Sequence, residues 1–300
     1  MTGPASPGSA TGERASRESA GSPLAGHLER EVVLRSLVNH SVPGVERVDL
    51  DDGTVTRLLR TASGLVPVTV AVLDDGVRIL GGGDAETTEI VREWFDLDTD
   101  IDAVGEAFAG DAVLGPLVRE RPAVRVIGHP DAFEAAVQTV LGQQVSLAAC
   151  RTFTGRLAAA YGAPGPGELL AFPEARVVAD ADLDQLRAAV GIPLARARTV
   201  IAVAAAFADG LRVRRGEDAA TVRSALLALP GIGPWTVDYL ALRVLRDPDA
   251  YPVGDLVLRR ALGGVTPAAA SELGERWRPW RAYATMQLWT ADAFSRTSSA

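Results

Sequence analysis

The 300-residue sequence contains no lysine: all thirty of its basic residues are arginine. An arginine-only set of cations is compatible with a bias in coding composition, but it has a chemical consequence. No lysine side chain can form a Schiff base, so imine chemistry on a lysine is excluded. Cysteine is almost as scarce. A single Cys150 rules out an internal disulfide and any multi-cysteine metal or iron–sulfur centre. It lies in the small, apolar stretch SLAACRTF, where a buried structural thiol is expected. Histidine occurs three times, at His27, His40 and His129. This scatter offers no metal-binding spacing, and all three are expected to be structural or exposed. No apolar run is long enough to cross a bilayer, so no membrane partner is expected. The first residues lack a charged-then-apolar leader, which leads to the expectation of a cytoplasmic protein.

What the chain does have is ample apolar content, 47%, with 23% charged residues and a net charge of −8. The acidic balance argues against indiscriminate coating of nucleic acid, although a local basic footprint remains compatible with it. Residues 1–26 are Gly, Ser, Ala and Pro with scattered charge and no aromatic side chain, and a disordered tail is expected there. A helix is expected around 28–40, then short strands at TVTRLLR, PVTVAVL and VRIL. Asp74-Asp75-Gly76 supplies a hairpin turn between the last two. DAETTEIVREWF reads as a helix with acids in its first turn. The first part, 27–115, is therefore expected to be an α+β domain.

From about residue 116 the strand pattern vanishes, and 116–300 reads as mainly α. Asp131 followed by Glu134 resembles a capping box ahead of an amphipathic helix. GQQVS interrupts that helix, and Ser146 is placed to cap the next. Helical patterns then continue through 183–191, 194–210 and 221–229.

The most informative stretch is LPGIGPWTVDYLALRVLRDPDAYPVGDLVLRRAL, residues 229–262. A turn this apolar makes sense if backbone amides, rather than side chains, face the ligand. Glycines permit positive φ, Pro234 suits a first helical position, and N–H groups at a helix start can hold an anion without lysine. A tight turn whose glycines serve packing alone is the competing reading. Val237, Leu240, Ala241, Val244 and Leu245 form the expected core stripe of the second helix. Trp235, Tyr239, Arg243 and Arg246 form another stripe, aromatic to basic, which suits a nucleic-acid surface. Asp255 is placed to cap a helix beginning at Leu256, the commoner role for such a residue. A carboxylate kept ionised at a helix N-terminus could equally stabilise an oxocarbenium-like sugar or orient water.

These motifs, with ERWRPWRAYATMQLW and HPDAFEAAVQTVLGQQVSLAAC, resemble the helix-hairpin-helix superfamily of DNA base-excision glycosylases, and within it the DNA-3-methyladenine glycosylase II type. The resemblance runs over about 27–295, more strongly after 128. It implies a small TATA-binding-protein-like α+β domain followed by two helical subdomains flanking an active-site cleft. It implies Asp255 as the catalytic carboxylate and Trp235, Tyr239 and Trp289 as the base pocket. Trp289 is also compatible with a core position, and Trp277 and Trp280 are expected to serve packing. The implied DNA-binding set is Gln143, Gln144, Gly231, Ile232, Gly233 and Thr236, with damaged double-stranded DNA as partner and a monomeric protein.

The same resemblance implies a monovalent cation on the backbone carbonyls of Leu227, Leu229 and Ile232. No other cofactor is expected. Relatives that also cleave the DNA strand use a lysine where this chain has Trp235, so a monofunctional hydrolase acting on alkylated bases is expected. Two departures stand out. Gln144 occupies a wedge position often held by leucine, and the first helix brings no aromatic residue to the pocket.

Overall fold

The computed structural model describes residues 23–81 and 83–297. The N-terminal unit opens with β1 (Leu24–Ala25) and α1 (Arg30–His40), followed by β2 (Glu46–Asp49), β3 (Thr54–Thr61), β4 (Gly64–Leu73), β5 (Gly76–Ile79) and α2 (Ala85–Trp94). Its five strands form one antiparallel sheet in the order β1-β5-β4-β3-β2. The three strands expected from alternation are present, and the β4–β5 hairpin turns at Asp74-Asp75. β2 and the two-residue β1 are additions too short to show a period. Most of the expected tail lies outside the described residues. Its last part is ordered, because Leu24 and Ala25 pair with Val77 and Gly76. Gly76 is required there: at φ 148° a β-carbon would come within 2.1 Å of the Leu24 carbonyl oxygen.

Val68, Val70 and Val72 alternate inward along β4 and meet Val33, Leu34 and Leu37 of α1 and Trp94 of α2. That period of two builds a core between the sheet and its helices. The sheet's other face packs Leu58 against Leu169 and Ala171.

The helical part comprises α3 (Ile101–Phe108), α4 (Leu114–Glu120), α5 (Ala132–Gly142), α6 (Leu147–Tyr161), α7 (Ala175–Ala179), α8 (Leu183–Val190) and α9 (Leu194–Ala208). It continues through α10 (Ala219–Leu227), α11 (Pro234–Leu240), α12 (Leu256–Ala261), α13 (Pro267–Gly274) and α14 (Arg281–Thr297). Two findings modify the expected layout. A short hairpin of β6 (Ala163–Pro164) and β7 (Leu170–Ala171) interrupts the helices. Ile101, Val104, Phe108, Leu114 and Val118 of α3 and α4 belong to the helical core, whereas Ile127, further along the chain, belongs to the core of the N-terminal unit.

The capping box expected at α5 forms only in part. Asp131 accepts from Glu134 N at 2.9 Å, but the Glu134 side chain does not reach back. It is instead fully buried against Arg57 of β3, Oε2 to Nη2 at 2.5 Å, and so fastens the sheet domain to the helical one. Glu46 of β2 shares the same guanidinium at 3.4 Å.

Candidate active site

The hairpin of α10 and α11 is built as its sequence suggests. Gly231 takes φ 81°, and a β-carbon there would lie 2.2 Å from Thr199 Oγ1 on α9. Both conformation and space therefore demand glycine. Ile232, 8% exposed, inserts its side chain into the helical core. Gly233 is the N-cap of α11 and Pro234 its first residue. The first-turn N–H groups of α11, those of Trp235 and Thr236, have no intrahelical acceptors and sit at the positive end of the helix dipole.

The side chains of Gln143 and Thr236 are used within the protein. Gln143 Nε2 donates to Gly231 O and Thr236 Oγ1, both at 3.1 Å, and Thr236 is buried. They lock the α5–α6 turn to the hairpin. Gln144, by contrast, is exposed at the tip of that turn with φ 55°. The exposed Leu147 stands three residues on, at the start of α6.

Asp255 caps α12, accepting from Leu258 N at 2.8 Å, so the capping role is real. Asp84, Asp100, Asp131, Asp182 and Asp218 cap helices in the same way. Asp255 differs from all five because two indoles also converge on it. Trp235 Nε1 donates to Oδ2 at 3.0 Å and Trp289 Nε1 to Oδ1 at 2.9 Å. Three donors on one nearly buried carboxylate fix its direction. This geometry assigns Trp289 to the site rather than to the core alone.

The rings form a continuous wall. Trp235 stacks on Tyr239 at 5.4 Å, and Tyr239 meets Trp289 at 6.0 Å. All three, with Asp255, line an open cavity of about 740 Å³ between the helical part and α1. Trp277 is fully buried, with Trp280 partly buried beside it, as expected of packing residues.

Several cavity residues escaped the sequence reading. His40 and His129, expected to be merely structural or exposed, both line it, as do Asn39 of α1 and Cys150 of α6. Burial drives the histidines down, His40 to about 4 with Arg243 adding to the effect, and His129 to about 3 with Arg57 and Arg243 adding. Both are neutral imidazoles at physiological pH. His27 is exposed.

The basic half of the expected surface stripe is also corrected. After Leu240 the helix widens into a π-helical turn over Ala241–Leu245, and Arg246 adopts φ 59°. The changed register turns both arginines inward. Arg246 pairs with Asp96 at 2.8 Å and donates to Val126 O at 2.6 Å. Arg243 is 7% exposed, lies over the Tyr239 ring at 5.7 Å and lines the cavity. Residues 235, 239 and 243 share one face by their spacing, and the structure turns that face to the pocket.

Comparison with known proteins agrees with the architecture. Residues 26–131 match the AlkA N-terminal domain, and residues 137–275 match the HhH-GPD superfamily base excision DNA repair protein. The Escherichia coli DNA-3-methyladenine glycosylase 2 is 33% identical over 263 residues, covering 87% of this chain and 86% of that protein. A probable bifunctional transcriptional activator/DNA repair enzyme AlkA of Mycobacterium tuberculosis is 40% identical over 279 residues, covering 87% of this chain and 54% of its own. The chain thus spans about half the length of that relative. Among solved structures, the 3-methyladenine DNA-glycosylase of Archaeoglobus fulgidus superposes with a TM-score of 0.79 at 18% identity, covering 91% of this chain and 98% of that one. At that identity the likeness speaks to fold.

Proposed function

The chain belongs to the HhH-GPD superfamily of base excision DNA repair proteins, with an AlkA N-terminal domain ahead of the helical part, and from that membership we propose that it is a monofunctional DNA glycosylase for alkylated bases. The observation that carries the reading is the carboxylate of Asp255, held by two indole N–H groups at the wall of an aromatic cavity. The name of the Escherichia coli relative supports 3-methyladenine as the type of lesion.

In this mechanism the hairpin amides of Gly231, Gly233 and the first turn of α11 take a DNA phosphate. The damaged nucleotide swings out of the duplex, and exposed Gln144 fills the gap it leaves, with polar atoms toward the opposite strand. The base enters beside Trp235 and Tyr239. An alkylated purine carrying positive charge is favoured by the electron-rich ring faces. Asp255 lies where positive charge develops on the sugar as the glycosidic bond lengthens. Its orientation is set before substrate arrives, so no reorganisation is needed at the moment of reaction. Water completes the hydrolysis and leaves an abasic site. The absence of lysine supports hydrolysis without strand cleavage.

The carbonyls at the end of α10 and in the hairpin suit a monovalent cation. Leu229 O accepts from Ile232 N at 3.2 Å and keeps a second lone pair free. Leu227, Leu229 and Ile232 would hold the ion, which would add positive charge near the phosphate.

The test is base release from alkylated duplex DNA by wild type and Asp255→Asn. Asparagine is also a good helix cap, so α12 is kept while the charge is lost. Release is expected to fall by at least about a hundredfold. Undiminished release by the variant would remove Asp255 from the chemistry, and no release by wild type across a lesion panel would refute the enzyme. Borohydride trapping is expected to give no protein–DNA adduct; an adduct would contradict the monofunctional reading.

A further inference from the structure

Arg243 is a permanent cation on the cavity wall, and among the described residues no carboxylate forms an ion pair with it. The two aspartates that line the same cavity are engaged elsewhere. Asp255 is held by the indoles, and Asp292 is bridged by Arg260 through both oxygens. The neighbouring His40 and His129 are neutral and offer no charge balance. Tyr239 covers the guanidinium from one side. The π-helical turn that aims Arg243 inward is an irregularity of a kind often found at functional sites. A buried cation without an anion has a high electrostatic cost unless something that enters the cavity supplies acceptors.

We propose that Arg243 is the specificity-determining residue that extends excision to neutral lesions carrying a carbonyl oxygen, by donating hydrogen bonds to the base as negative charge builds on it. This rests on the glycosylase reading above. A cationic alkylpurine leaves as a neutral base and gains nothing from a nearby guanidinium, which even repels it. A neutral oxopurine is different. When its bond from C1′ to the ring nitrogen breaks, the electron pair stays on the base and delocalises onto the carbonyl oxygen. Water forms the new bond to C1′, and the proton it releases neutralises the departing anion, so the net reaction is hydrolysis. The fixed donors of Arg243 stabilise that anion before the proton arrives.

The experiment compares Arg243→Gln, Arg243→Lys and wild type on duplexes carrying hypoxanthine or 7-methylguanine, in single-turnover base release. Hypoxanthine release is expected to fall by about tenfold to a hundredfold in Arg243→Gln, while 7-methylguanine release stays within about threefold or rises. Arg243→Lys is expected to recover part of the hypoxanthine rate, and thermal unfolding of each variant reports on its folding. An equal fall on both lesions would mean that Arg243 is structural, and an unchanged hypoxanthine rate would remove its role. Wild type active on 7-methylguanine but inert on hypoxanthine also overturns the proposal. Inactivity on both lesions would instead strike the glycosylase reading itself.

Discussion

Replacing Glu46 by glutamine probes the buried charges that join the two domains. Glu46 Oε1 accepts from Val42 N at 3.1 Å, and Oε2 faces Arg57 Nη1 at 3.4 Å. Arg57 places its shorter bond, 2.5 Å, on Glu134, so the two carboxylates share one guanidinium. Burial pushes Glu46 up to about 7 from an ordinary 4.5; Arg57 opposes this, and Glu134 adds to it. A carboxyl raised in the folded state contributes stability that is fully present below its unfolded pKa. That contribution is lost as pH rises through the folded value. Ionised Glu46 should therefore weaken the fold above neutrality, by on the order of 3 kcal/mol at pH 8 and less than about 1 kcal/mol at pH 5.

Glutamine keeps an oxygen for Val42 N and never ionises. Its amide N–H₂ facing Arg57 costs about the same at both pH values and cancels on subtraction. The acid sensitivity due to His40 and His129, shared by both proteins, cancels too. Urea unfolding at pH 8 and pH 5 should show Glu46→Gln gaining roughly 2–3 kcal/mol relative to wild type between pH 5 and 8. An identical difference at the two pH values would refute the assignment of a buried, destabilising charge to Glu46.

Gly231→Ala imposes a positive φ on alanine and drives a methyl into Thr199. A loss of about 2 kcal/mol in thermal unfolding and weaker DNA binding are expected, whereas an unchanged melt would contradict the packing described. Arg246→Met strips Asp96 of its ion-pair partner and Val126 O of a donor; denaturant unfolding should report a loss of about 3 kcal/mol, and a loss within experimental error would refute the buried pair. Trp289→Phe keeps an aromatic ring, smaller than the indole, but removes one donor from Asp255, so base release should fall about tenfold with a stability change near 1 kcal/mol. Full activity would mean that this hydrogen bond does not serve the carboxylate.

Much of the site could be read along the chain because its chemistry is local. The Pro-Gly-Ile-Gly-Pro turn, the start of α11 at Pro234 and the cap at Asp255 depend on backbone preferences that act over a few residues. Periodicity likewise yielded β3, β4 and β5 and the main helices, because inward side chains recur at the period of the element. The absence of lysine excluded lysine imine chemistry before any fold was known. The convergence of Trp235, Trp289 and Asp255 needed the tertiary structure, since two indoles from elements 54 residues apart in number meet one carboxylate only after packing. The inward turn of Arg243 and Arg246 was hidden for a related reason. A stripe's spacing shows which residues share a face but not which way that face looks, and the π-helical turn shifted the register. Glu134 shows the same limit: its local cap partner was within reach, yet Arg57, distant in sequence, offered a buried cation that a lone backbone N–H could not match. The sequence determined the hairpin, the cap and the excluded chemistry by local conformational preference and composition. Burial and long-range charge pairing decided which of its polar residues face the cavity and which hold the two domains together.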